Sequence, residues 1–209
     1  MQITEIFYSL QGEGVLSGLP TVFIRTTGCN LRCLYCDTTY AYENGSEKSI
    51  NQILSKINQF HCSHVCITGG EPLIQVETLE LIKTLQEKNY FITLETNGSQ
   101  SLSSFPNRQN LMISMDIKTP SSNMHSHLDN DNFQFLSKND QIKCIIQSEK
   151  DYEYAKKIIM ENKPLCPVIF QPVWGTDASN LASWILQDNL PVRLGLQLHK
   201  LLWGENTRQ

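Results

Sequence analysis

Cys29, Cys33 and Cys36 are crowded into one segment, Gly28-Cys29-Asn30-Leu31-Arg32-Cys33-Leu34-Tyr35-Cys36-Asp37, while the other four cysteines, Cys62, Cys66, Cys144 and Cys166, are scattered. Three thiolates on one short loop can converge on one inorganic centre, and thiolate is the ligand that iron–sulfur clusters use. Three ligands rather than four would leave one iron of a cubane open to a substrate or cofactor. A structural zinc site and buried free thiols are the competing accounts. Zinc would normally want a fourth Cys or His in a second tight pair, and Cys62 and Cys66, with His61 and His64 nearby, offer one. Cys66, however, falls in an apolar run where burial explains it.

Four further segments carry residues able to bind a ligand: Thr68-Gly69-Gly70-Glu71-Pro72, Glu95-Thr96-Asn97-Gly98, Asp116-Ile117-Lys118-Thr119-Pro120 and Gln171-Pro172-Val173-Trp174. Paired glycines let backbone approach a ligand closely. Taken alone, Gly69-Gly70 and Asn97-Gly98 are turns, Asp116 with Lys118 is a charged strand end, and Trp174 is a packing residue.

All of these lie where strand-like runs end. Apolar runs at 22–24, 65–68, 91–95, 111–116, 142–146, 168–171 and 192–198 read as strands, preceded by a short one at 3–8. Ile50, Ile53, Leu54 and Ile57 follow helical spacing with Ser49 as N-cap. Leu79, Ile82 and Leu85 form a second helical face before Asn89, Tyr152, Ala155, Ile158 and Ile159 a third, and 182–186 a shorter fourth. Strands alternating with helices predict βα units around a parallel sheet. At 209 residues the chain is short for eight such units, which take about 250. The expected fold is therefore α/β: an incomplete TIM-type barrel of about six βα units, one domain over 1–209. Ligands in such folds sit at the strand C-termini.

Hydrophobic residues at 40% and charged residues at 18% give an ordinary globular composition. A net charge of −4 argues against non-specific nucleic-acid binding, which needs excess Lys and Arg. No run of about 18 apolar residues predicts a membrane span, and the N-terminus lacks the pattern of a signal peptide. The expected compartment is the cytoplasm, where cysteines serve as thiols or metal ligands before disulfides.

The cysteine triplet, with aromatic Tyr35 before its last member, resembles the signature of the radical S-adenosylmethionine (SAM) superfamily. That resemblance implies a [4Fe–4S] cluster on Cys29, Cys33 and Cys36, with SAM chelated by the open iron. It places Gly70 and Glu71, in what looks like a GGE motif, at the methionine amino group of SAM. It also implies cofactor contacts from Tyr35, Asp37, Thr96, Asn97, Asp116, Ile117, Lys118, Gln171 and Trp174.

Many reactions share that cluster, and here the flanking segments are more specific. Ile6-Phe7-Tyr8-Ser9-Leu10-Gln11-Gly12-Glu13-Gly14, residues 18–25 ending at Arg25, Cys36-Asp37-Thr38-Thr39-Tyr40 and Leu196-Gln197-Leu198-His199-Lys200 together closely resemble the 7-carboxy-7-deazaguanine synthase family of queuosine biosynthesis. The resemblance implies Mg2+-dependent conversion of 6-carboxy-5,6,7,8-tetrahydropterin to 7-carboxy-7-deazaguanine with loss of ammonia. By it, Leu10, Gln11, Gly12 and Glu13 hold the pterin ring, and Thr68 and His199 line the same pocket. Arg25 meets substrate charge, a planar guanidinium being able to make two parallel bonds to a carboxylate. Thr38 offers Mg2+ an oxygen ligand, the hard donor that ion takes. A homodimer and a flavodoxin- or ferredoxin-type electron donor are implied as well. Two segments depart from the pattern: some relatives carry Ser-Pro-Lys where this chain has Asp116-Ile117-Lys118, and the tail from Trp203 to Gln209 has no matching form. The rivals are an activase that places a glycyl radical on a partner protein, which would lack Leu10-Gln11-Gly12-Glu13-Gly14, and a non-enzymatic zinc or redox-sensing protein.

Overall fold

The computed structural model describes residues 1–105 and 108–204; Glu205 to Gln209, most of the unmatched tail, lies outside the described residues. Among the described residues, nine strands form one sheet: β1 (Gln2–Leu10), β2 (Pro20–Thr26), β3 (Ser46–Glu47), β4 (His64–Gly69), β5 (Phe91–Thr96), β6 (Leu111–Ile117), β7 (Gln141–Ile146), β8 (Val168–Pro172) and β9 (Arg193–Leu194). Their order is β3-β1-β2-β4-β5-β6-β7-β8-β9. From β2 to β9 every neighbouring pair is parallel, whereas β1 runs antiparallel to β2 and β3. With β3 and β9 at its two ends, the sheet is open, as expected of an incomplete barrel.

Six crossovers join the parallel strands, and four of them are helical: α1 (Ile50–Ile57), α2 (Thr78–Glu87), α3 (Glu149–Asn162) and α4 (Ala178–Gln187). Ser49 caps α1 as expected, its hydroxyl accepting from Gln52 N while the Gln52 side chain accepts from Ser49 N. Ser148 and Asp151 make the same reciprocal cap on α3. The other two crossovers depart from the βα pattern. Serines at 99, 101, 103 and 104 follow β5, and serine competes for backbone bonds rather than extending a helix. Instead, the fully buried Asn132 clamps that loop, donating to Gly98 O at 3.0 Å and Gln100 O at 2.9 Å and accepting from Leu102 N at 2.8 Å. Short 3-10 turns carry the chain from β6 to β7.

Strand alternation sorts the sheet into two faces. Val65, Ile67, Ile92, Leu94, Ile113, Met115, Ile117 and Phe170 pack with Ile53, Ile57, Leu81, Leu85, Tyr152 and Leu181 of the helices into one apolar core. The opposite, concave face is polar although buried: Thr21, His64, Thr93, Ser114, Gln141 and Lys143 lie on it. Five of these groups satisfy one another, His64 bridging Thr93 at 3.0 Å and Thr21 at 3.4 Å, and Gln141 donating to Ser114 at 2.8 Å.

The strand expected over 192–198 shrinks to two residues. Gly195 N still donates to Phe170 O at 2.8 Å, but the chain then leaves the edge. Gln197 reaches Glu13 at 2.7 Å and Leu198 N donates to Gly12 O at 2.8 Å. These bonds pull the segment across the end of the sheet, where α5 (Leu198–Trp203) begins.

Candidate active site

A cleft of about 540 Å³ opens at the C-terminal ends of the parallel strands. One side of it is the cysteine loop between β2 and β3. All three thiols are reduced, half-buried and face this cleft. Burial pushes the Cys29 and Cys33 thiols up, and the neighbouring sulfurs push them further. Three thiols crowded on one loop are a donor set suited to a cationic inorganic centre, which would take them as thiolates. Among the described residues no three His, Cys, Asp or Glu have the arrangement of a single-ion site.

The loop after β4 packs directly on this segment. A Cβ at Gly70 would overlap the Gly28 carbonyl and stand 2.9 Å from Cys29 Cβ, so only glycine fits there. Glu71 turns away from the cleft and is fully buried. It accepts from Leu73 N at 3.0 Å, Thr96 Oγ1 at 2.9 Å and Asn97 N at 2.6 Å. Burial raises its carboxyl to about 7 against the pull of those three donors. Glu71 thus ties the β4 loop to the β5 loop, and Asn97 in turn donates to Asn30 Oδ1 at 3.1 Å.

Asp116 and Lys118 both line the cleft and pair at 2.9 Å. Ile117 between them does not: its side chain is fully buried in the apolar core, because alternation along β6 sends it to the helix face. The contact expected of Ile117 is thus left to its backbone. Tyr35, Thr96, Asn97, Gln171 and Trp174 line the cleft with Asp116 and Lys118.

The other side of the cleft is built by the chain between β1 and β2, with β2, β7 and the start of α5. Leu10, Gln11, Gly12, Glu13, Arg25, Thr68 and His199 all line it, as do Asp37 and Thr38. Gly12 packs so closely on the His199 ring that a Cβ would overlap it. Burial holds His199 below its ordinary value, against the pull of Glu13. Arg25 Nε donates to Glu5 at 2.7 Å, and its guanidinium lies 5.7 Å from the rings of both Phe7 and Tyr40. Thr38 donates to Asp37 at 3.0 Å, and Lys200 reaches the other Asp37 oxygen at 2.6 Å. Among the described residues, neither of two buried amide oxygens, Gln171 Oε1 and Gln197 Oε1, has a hydrogen-bond partner. A ligand rich in N–H groups would satisfy them.

Several lining residues had been given no role of their own: Cys66, Lys143, Gln197 and Lys200, and Glu95 beyond its place in the Glu95–Gly98 segment. Of these Lys143 carried a signal, a charged residue inside the buried run Gln141–Ile146. Its ammonium stands between Glu13 at 2.8 Å, Glu95 at 3.0 Å and Asp116 at 3.3 Å.

Comparison with known proteins identifies the family. The family model for the Radical SAM superfamily matches residues 23–135. A 7-carboxy-7-deazaguanine synthase of Methanospirillum hungatei is 40% identical over 97% of this chain and 85% of its own length. One from Thermoplasma acidophilum is 36% identical, covering 98% of both chains. The crystal structure of QueE from Escherichia coli superposes with a TM-score of 0.78 at 25% identity, over 95% of this chain and 94% of that one. Streptococcus suis SuiB bound to S-adenosylmethionine, at 15% identity and a TM-score of 0.60 over 81% of this chain and 48% of its own, shares the fold alone.

Proposed function

Because this chain belongs to the 7-carboxy-7-deazaguanine synthase family of the radical SAM superfamily, we propose that it converts 6-carboxy-5,6,7,8-tetrahydropterin to 7-carboxy-7-deazaguanine. Ammonia is lost in the conversion. The observation that carries this reading is one cleft lined by the cysteine triplet on one side and Gln11, Gly12, Glu13 and Arg25 on the other.

Cys29, Cys33 and Cys36 would hold the [4Fe–4S] cluster. When bound, the cluster and SAM supply a 5′-deoxyadenosyl radical that takes a hydrogen atom from the substrate. The remaining work falls to this chain. Gly70 gives the methionine end of SAM close access to backbone, while Lys118 and Asp116 offer it opposite charges. Gln171 and Trp174 border the adenine side, with Tyr35, Asp37, Thr96 and Asn97 around them. Glu13 accepts from the N–H edge of the pterin, beside Leu10, Gln11, Gly12, Thr68 and His199. Arg25 meets the substrate carboxylate: Nε is engaged by Glu5, which leaves the terminal nitrogens for a forked contact. Thr38 and the substrate carboxylate would share a Mg2+ ion, a hard cation that keeps most of its waters.

The chain is proposed to act as a single domain and as a homodimer, in the cytoplasm, reduced by a flavodoxin- or ferredoxin-type donor. Among the described residues no helix is long and apolar enough to cross a membrane. The deciding experiment is an anaerobic assay of the cluster-loaded protein with reductant, SAM, Mg2+ and 6-carboxytetrahydropterin. Mass spectrometry should find 7-carboxy-7-deazaguanine with SAM not consumed in proportion. Cleavage of SAM without any deazapurine would overturn the substrate and favour an activase.

A further inference from the structure

Lys143 sits at mid-strand in β7, between apolar Ile142 and Cys144, with its side chain only 5% exposed. An ammonium at this depth is costly unless several partners surround it. Its three partners come from separate parts of the chain: Glu13 from the loop after β1, Glu95 from β5 and Asp116 from β6. They are not equivalent. Asp116 has a second cation, Lys118, at 2.9 Å on its other oxygen. Glu95 shows burial winning, its carboxyl raised despite Lys143. For Glu13 burial also acts upward, but Lys143 and the Gln197 amide outweigh it, and the carboxyl lies well below the ordinary range.

The geometry around Glu13 is equally specific. Oε2 accepts from Lys143 at 2.8 Å and Oε1 accepts from Gln197 at 2.7 Å. Anchoring each oxygen separately fixes the plane of the carboxylate. Each oxygen still has a further acceptor position, and Glu13 lines the cleft.

We infer that Lys143 is a positioning residue for the substrate, holding Glu13 as an oriented, ionised carboxylate that receives paired N–H donors from the amide–guanidine edge of the pterin. The inference rests on the pterin reading above and adds to it the group that makes Glu13 competent. A carboxylic acid in that place would present a donor to a donor, so the charge state of Glu13 acts as a selector. Other charged groups facing Glu13 are His199 on α5 and Asp37 on the cysteine loop, the latter already paired with Lys200.

The test is anaerobic calorimetry of 6-carboxytetrahydropterin binding to the cluster- and SAM-loaded protein between pH 6 and 8.5. The wild type, Lys143→Met, Lys143→Arg, Glu13→Gln and the Glu13→Gln/Lys143→Met double variant are compared, with SAM affinity as an internal control. Lys143→Met should weaken pterin binding about tenfold or more at neutral pH, and affinity should recover as pH rises. The sign follows from Glu13: without the counter-charge its pKa climbs, so it takes up a proton as pH falls. Lys143→Arg should restore much of the affinity. Adding Lys143→Met to Glu13→Gln should cost no more than about twofold further, since both act on one contact.

Unchanged pterin affinity in Lys143→Met, or full additivity in the double variant, overturns the inference. If Lys143→Met does not fold, the wild type decides. A fall in its affinity with acid that disappears in Glu13→Gln would mean Glu13 is not held ionised. A wild type that binds SAM but no pterin would instead sink the substrate reading itself.

Discussion

The two ends of the cleft are built on different principles. At the cofactor end, three cysteines share one loop, and the glycine loop after β4 touches it through backbone, with no room for a side chain at Gly70. At the substrate end, polar and charged side chains meet across long stretches of sequence: Lys143 and Glu13 are 130 residues apart and Gln197 and Glu13 184. The first end depends on where the backbone runs. The second depends on setting carboxylates such as Glu13 against the buried Lys143 ammonium. On the proposed reading, the cofactor end is a fixed fitting, and charge at the other end selects what enters.

The largest effects should come from breaking the cofactor end. Cys29→Ala, Cys33→Ala or Cys36→Ala should each abolish cluster assembly and SAM cleavage, read as lost iron content and lost visible absorbance. An intact cubane in all three variants would remove the triplet from the site. Gly70→Ala comes next. Its methyl group would meet the Gly28 carbonyl and Cys29, both part of the loop proposed to hold the cluster. SAM affinity should fall about tenfold or more, the range of a steric clash with rigid backbone. Pterin affinity should move much less. Equal losses of both ligands would show that the two ends are not separable.

This division also governs what a reader of the sequence can see. The cysteine spacing, Gly69-Gly70 and the Leu10–Glu13 stretch are local patterns, and the structure brings them to one cleft. Ser49 as N-cap and the αβ alternation were local too. Lys143 pairing with Glu13 was not visible, because nothing local says which strand lies opposite which loop. The edge at 192–198 misled for a related reason. Its apolar alternation suits a strand, and only the bonds to Gly12 and Glu13 show why the chain turns away.

Ile117 is where motif and geometry disagree, and it sharpens the comparison. It belongs to the Asp116-Ile117-Lys118 motif at the cofactor end, yet its side chain is in the core. Ile117→Ala should therefore act as a cavity mutation, costing about 2–5 kcal/mol of stability. Thermal or denaturant unfolding would register it, with SAM affinity in the folded protein close to wild type. A large loss of SAM affinity without a loss of stability would return the side chain to the binding site.

The smallest predicted effect probes how finely the substrate end is tuned. Glu5 Oε1 accepts from Arg25 Nε at 2.7 Å and from the Tyr40 hydroxyl at 2.8 Å. Tyr40→Phe removes that hydroxyl but leaves the ring, 5.7 Å from the guanidinium, in place. A hydrogen bond to a charged acceptor contributes about 1.5–3 kcal/mol, of which only the part felt by Arg25 reaches the substrate. Arg25 would keep its Glu5 partner while losing part of its orientation. The Michaelis constant for the pterin should rise about threefold to tenfold, with turnover at saturation little changed. SAM binding should not respond, since Tyr40 and Glu5 lie on the substrate side. Were turnover to fall instead while the Michaelis constant stayed put, Arg25 would be acting in the chemical step, and the separation between a chemical end and a selecting end would fail.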